Sequence, residues 1–110
     1  MAKKQTPETI IKKEITVYLK IKGWFVFPIL QGMGAYKGIS DLIACKDGIV
    51  LFIEVKTPKG KMSEHQYRFK YNMHHAGCHY IIARCHEDVK EYIEWIVRRQ
   101  RGCDEFINTN

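Results

Sequence analysis

Apolar residues recur along this chain with two periods, and the change between them marks out its elements. Ile11, Ile15 and Tyr18 fall at helical spacing behind Thr6-Pro7-Glu8, where a capping hydroxyl, a proline and an acid suit a first turn. Gly23 is a C-terminal stop for that helix. Residues 24–29 are aromatic and β-branched and predict a strand, with Pro28 at its end or on a sheet edge. The segment 31–40 carries Gly32, Gly34 and Gly38 and reads as a loop. Residues 41–45 and 49–56 are two further strands joined by Asp47-Gly48, a strong hairpin signal, and the second is apolar enough to be buried on both faces.

After the basic turn 57–61, Ser63 with Gln66 three residues on has the form of a capping box, opening a helix that ends at Gly77. Residues 78–84 form the fourth strand. Val89, Tyr92, Ile93, Ile96 and Val97 mark an amphipathic helix expected to stop at Gly102, leaving a loose tail. The fold class is therefore α/β: an α-β-β-β-α-β core with a central mixed sheet flanked by helices, plus a C-terminal helix, in one domain spanning 1–110.

Composition narrows the function classes. No apolar run reaches the ~20 residues of a membrane span, and residues 1–5 lack the apolar stretch of a secretory signal, so a cytoplasmic protein is expected. Cys45, Cys78, Cys85 and Cys103 form no CxxC pair, which favours reduced thiols over a disulfide framework. The crowding of His74, His75, Cys78, His79, Cys85 and His86 fits no usual zinc spacing, and a strand through it would turn alternate ligands to opposite faces. The formal net charge of +6 suits a polyanionic partner, although a basic soluble protein needs none.

The hairpin leads to a geometric expectation. If Asp47-Gly48 is a two-residue turn, Lys46 faces Ile49, and counting back along the ladder sets Asp41 opposite Glu54. The two carboxylates then stand on one face with Cβ atoms roughly 4.5–5.5 Å apart, and Lys56 points to the same face. Like charges across a ladder repel, and Glu54 lies in an apolar run where a carboxylate is desolvated. A divalent cation such as Mg²⁺ offsets that cost. A simple Glu54–Lys56 pair is the alternative, and it leaves Asp41 unexplained. A longer turn would slip the register.

Gly38-Ile39-Ser40-Asp41, then Glu54-Val55-Lys56, then Ser63 and Gln66 opening a helix, resemble the PD-(D/E)XK nuclease superfamily, and within it the virus-type replication-repair nuclease (VRR-NUC) family. The resemblance spans Glu14 to about Arg84. It implies a Mg²⁺- or Mn²⁺-dependent endodeoxyribonuclease, with Asp41, Glu54 and the main-chain carbonyl of Val55 on the metal. It implies that Glu14 supports the metal shell, that Lys56 positions or deprotonates the attacking water, and that Gln66 orients Lys56, the water or the substrate. Ser40 departs from the superfamily's frequent proline.

Physical readings of these residues remain open beside the resemblance. Glu14 borders the apolar stripe of its helix and is either a site residue or a flanking acid. Gln66 is either catalytic or only a cap. Lys37 in the glycine loop, Lys59, Lys61 and Arg68 either bind DNA phosphates or form a solvated face. No base-reading element is apparent, which points to recognition of DNA shape. The resemblance implies branched DNA such as a four-way junction, cut by a homodimer. A flap or nicking nuclease, or a binding module without catalysis, is the alternative.

Overall fold

The computed structural model describes the backbone of residues 5–32 and 34–108 and, within these, side chains as far as residue 101. The expectations that touch residues 1–4, position 33 of the loop, the Cys103 thiol and the last two residues of the tail lie outside that range.

Helix α1 (Pro7–Ile21) starts where Thr6 accepts a hydrogen bond from the backbone N–H of Thr9 at 3.2 Å, and Lys22 caps its end. Gly23 then takes φ +86°, a left-handed conformation that turns the chain into the sheet. Strands β1 (Phe25–Pro28), β2 (Leu42–Lys46), β3 (Ile49–Val55) and β4 (His79–Ala83) form one sheet in the order β1-β2-β3-β4. Pro28 sits at the end of an edge strand, where its missing N–H costs no interior ladder bond.

The β2–β3 hairpin has the register expected of a two-residue turn. Lys46 faces Ile49 and Leu42 faces Ile53 in antiparallel pairing, and Asp47 and Gly48 both have positive φ, +52° and +79°. A turn with φ > 0 at both central residues matches the twist of the strands it joins. β4 pairs parallel to β3, reached through the crossover helix α2 (Glu64–His75), so the sheet is mixed.

Strand alternation divides the chemistry between the two faces. Leu51, Ile53 and Val55 pack with Ile15 and Leu19 of α1 and with Val89 and Ile96 of α3 (His86–Asn108) in one apolar core. On the opposite face Phe52 and Tyr80 meet Phe69 of α2, with ring centroids 6.2 and 5.7 Å apart. Glu54 belongs to this second face.

Strands β1 and β4 are a residue shorter at each end than expected, and three further boundaries differ. Asp41 lies one residue before β2, though its N–H still donates to Ile53 at 3.0 Å, and Lys56 lies one residue past β3. The last helix does not stop at Gly102 but continues to Asn108, so the expected tail is helical as far as the described residues go. An interior glycine costs a helix only about 1 kcal/mol against alanine and, with no proline behind it, does not end one. Among the described residues, no helix is long and apolar enough to cross a membrane.

The turn that sets the register is directly testable. A Cβ on Gly48 would meet no atom within 4 Å, so the cost of Gly48→Ala comes from the backbone alone. We expect a loss of about 1–2 kcal/mol in urea unfolding; an unchanged midpoint would mean that the turn does not depend on this conformation.

Candidate active site

The ladder that pairs Leu42 with Ile53 carries Asp41 to the side of Glu54, where both acids are buried, at 6% and 1% exposure. Asp41 Oδ2 accepts a hydrogen bond from the Val55 N–H at 2.8 Å, so the backbone between Glu54 and Lys56 holds the partner carboxylate directly. Asp41 Oδ1 takes a bond from the Gln31 amide at 3.2 Å and lies 3.6 Å from Lys12 Nζ. Lys56 Nζ stands 3.7 Å from Glu54 Oε1. The pair occupies the carboxyl end of β3, beside parallel β4, a place where open α/β sheets form ligand crevices.

Gln66 caps α2 and also reaches the carboxylate pair. Its Oε1 accepts from the Ser63 N–H at 2.9 Å, which completes the capping box, and its Nε2 donates to Glu54 Oε1 at 2.9 Å. The cap fixes which end of the amide faces the carboxylate. Among the described residues, Glu54 Oε2 is left buried without a hydrogen-bond partner, as are Ser40 Oγ and Tyr80 Oη.

Burial pushes the Glu54 carboxyl up to about 8, from an ordinary value of 4.5. The neighbouring Asp41 charge adds to the rise, Lys56 opposes it, and Glu8 contributes further. The Tyr80 phenol is likewise raised, by burial first and then by Glu54 and Asp41. A pair of hard oxygen donors with one buried oxygen unpartnered fits a small divalent cation, which favours one or two carboxylates with its remaining positions open to water or phosphate.

The structure does not bring Glu14 to this site. Its carboxylate pairs with His86 Nδ1 at the start of α3, and Glu87 lies close enough to complete an exposed three-residue cluster. The acid of α1 whose charge reaches Glu54 is Glu8. Glu8, Lys12, Ile15 and Leu19 follow one another at helical spacing, so extending the buried stripe by two turns would have found both polar residues. Gln31 had no such signal, because its contact depends on the β1–β2 pairing, which continues past Pro28 and brings Gln31 to the Ile39 carbonyl and Asp41.

Lys37, Lys59, Lys61 and Arg68 are exposed. Arg68 lies 3.7 Å from Glu64 one helical turn away, a solvated surface pair. The basic turn 57–61 is held by Arg84, whose guanidinium donates to the carbonyls of Thr57 and Gly60. In the Cys/His segment, His74 contacts the Tyr80 carbonyl and His79 the Tyr92 hydroxyl, at 3.2 and 3.0 Å. Cys45, Cys78 and Cys85 are free thiols.

The element order, the mixed sheet and the Asp41, Glu54, Lys56 set define a restriction-endonuclease-like fold of the PD-(D/E)XK type. A solved structure titled "VRR_NUC domain" superposes on the chain with a TM-score of 0.71 at 25% sequence identity, covering 82% of this chain and 97% of that one. The chain has the VRR-NUC fold, and the family resemblance carried by its motifs is supported by that likeness. No family profile matches the sequence, and none of the curated proteins matches it.

The proton on Glu54 makes the metal-free stability depend on pH. A folded value above the unfolded one stabilises the protein fully below about 4.5, and that contribution is lost as pH rises through about 8. We expect the melting temperature of metal-free protein to fall across this window more steeply than that of Glu54→Gln, and the variant to be the more stable at pH 8. The limiting slope difference is about 1.4 kcal/mol per pH unit. Parallel calorimetric pH profiles for the two proteins would contradict the assignment.

Proposed function

We propose that this chain hydrolyses phosphodiester bonds in branched DNA with the help of Mg²⁺ or Mn²⁺. The observation that carries the reading is the buried Asp41–Glu54 pair, with Lys56 at 3.7 Å and one carboxylate oxygen unpartnered. Asp41, Glu54 and the Val55 carbonyl would hold the cation. When bound, it polarises a phosphoryl oxygen and activates water for attack.

The chain's own residues have separable tasks. Val55 N–H, Gln31 and Lys12 hold the Asp41 carboxylate from three sides, so its orientation does not wait for substrate. Gln66 does the same for Glu54. Lys56 supplies positive charge where the phosphate gains negative charge in the transition state. Glu8 adds a negative charge from α1 that reaches Glu54, and would take the supporting role expected of Glu14. Lys37, Lys59 and Lys61 are exposed cations for the backbone of the nucleic acid.

Each chain carries one such site and so cuts one strand at a time. A four-way junction needs two cuts related by twofold symmetry, which a C₂ homodimer provides. We take a Holliday-junction type of substrate as the reading, with a flap or nicking nuclease as the alternative.

Cleavage assays on linear, flap and four-way DNA test the chemistry. We expect cutting with Mg²⁺ or Mn²⁺ and none in a chelator, and losses of about 10²-fold or more in Asp41→Asn, Glu54→Gln and Lys56→Ala. Activity in the chelator, or retained in all three variants, would refute the site. Light scattering at micromolar concentration tests the assembly separately: a dimer is expected, and a monomer that nicks one strand would remove the junction reading while leaving the nuclease.

A further inference from the structure

A cleft of about 290 Å³ opens beside the carboxylate pair, between the glycine loop and the start of α2. Its floor includes Gln31 and Gln66, the two amides that hold Asp41 and Glu54. Tyr36 and Lys37 line it from the loop, and Ser63 and His65 from the helix side. Whatever sits in the cleft is therefore a neighbour of whatever reacts at the carboxylates.

The walls are tightly fitted. Gly38 has φ +84°, and a Cβ there would fall 2.2 Å from the His65 carbonyl oxygen, so the loop lies directly on the backbone of the first turn of α2. The Tyr36 ring is braced against Phe69, with centroids 5.9 Å apart, yet 58% of the residue is exposed. A braced aromatic with an open surface beside amide, hydroxyl and imidazole groups offers a nucleobase both a stacking partner and hydrogen bonds for its edge. Lys37, exposed next to it, supplies positive charge for a phosphate.

Size decides what enters. At about 290 Å³ the cleft lies just under the roughly 300–1,000 Å³ range of small-molecule sites, room for one nucleoside rather than a base pair. A paired base would first have to leave its stack, at a cost of a few kcal/mol that a mismatched or single-stranded base largely avoids.

We propose that this cleft receives one unpaired nucleotide next to the scissile phosphate, its base against Tyr36 and its backbone near Lys37. The proposal rests on the nuclease reading and adds a substrate class to it: DNA with an unpaired base at the branch point is preferred over a fully paired junction.

The test uses three four-way junctions that differ at one position beside the branch, which is paired, unpaired or abasic, with the full chain in Ca²⁺ for binding and Mg²⁺ for cleavage. Wild-type protein is expected to bind the unpaired junction about tenfold more tightly than the other two, the usual order of one base–aromatic stack. Tyr36→Ala should erase the difference, and Tyr36→Phe, which keeps the ring, should retain it. Equal affinity for all three junctions in wild type, or a uniform loss in Tyr36→Ala, would overturn the proposal. The two readings fail differently. Cleavage of all three DNAs with equal affinity removes the cleft and keeps the nuclease. Discrimination in binding without cleavage in Mg²⁺ removes the nuclease and keeps the cleft.

Discussion

Two carboxyl groups pressed together inside an apolar sheet are the constraint around which this protein is organised. Both acids are buried, and their charges repel, so Glu54 holds its proton to a pH far above the ordinary carboxylate range. The surrounding structure answers each oxygen it can reach. Asp41 is met by a backbone N–H, an amide and a lysine; Glu54 Oε1 is met by an amide and a lysine; Glu54 Oε2 has no hydrogen-bond donor among the described residues. A fold that carries such a strained pair tolerates instability in one place in return for a binding site formed before its ligand arrives.

The sheet and the helix start jointly align the pair. The hairpin register brings Asp41 alongside Glu54, and the capping box of α2 aims Gln66 at the same carboxylate. One side-chain amide thereby links a local folding signal to the chemistry, because the end that satisfies the helix leaves the other end for Glu54. Gly38 adds a third connection by letting the loop rest on α2 without a side chain between them. Register, cap and loop contact are separate devices, and the site needs all three to agree.

Helix α1 has two polar neighbours for the site on one stripe and a different acid on another. Glu8 and Lys12 continue the line of Ile15 and Leu19 toward the carboxylates, whereas Glu14 turns to His86 on α3. The opposite signs of Glu8 and Lys12 matter electrically. Glu8 raises the cost of a charged Glu54, and Lys12 offsets the charge of Asp41, so the helix holds the two acids in unequal environments.

What the sequence determined by itself was everything with a short-range physical cause. Apolar periodicity located all four strands and three helices, Thr6 and Ser63 marked two helix starts, and Asp47-Gly48 set the register from which the Asp41–Glu54 juxtaposition followed. Local energetics sufficed because caps and two-residue turns close within a few residues. Tertiary structure decided the rest. Gln31 reaches Asp41 because it continues the β1–β2 register past Pro28, Arg84 anchors the basic turn from just past β4, and Glu14 is drawn away to His86 at the start of α3. The run of α3 through Gly102 was hidden for the opposite reason, since one glycine weakens a helix without ending it. Contacts between residues far apart in the chain depend on the packing of whole elements, which neither periodicity nor caps encode.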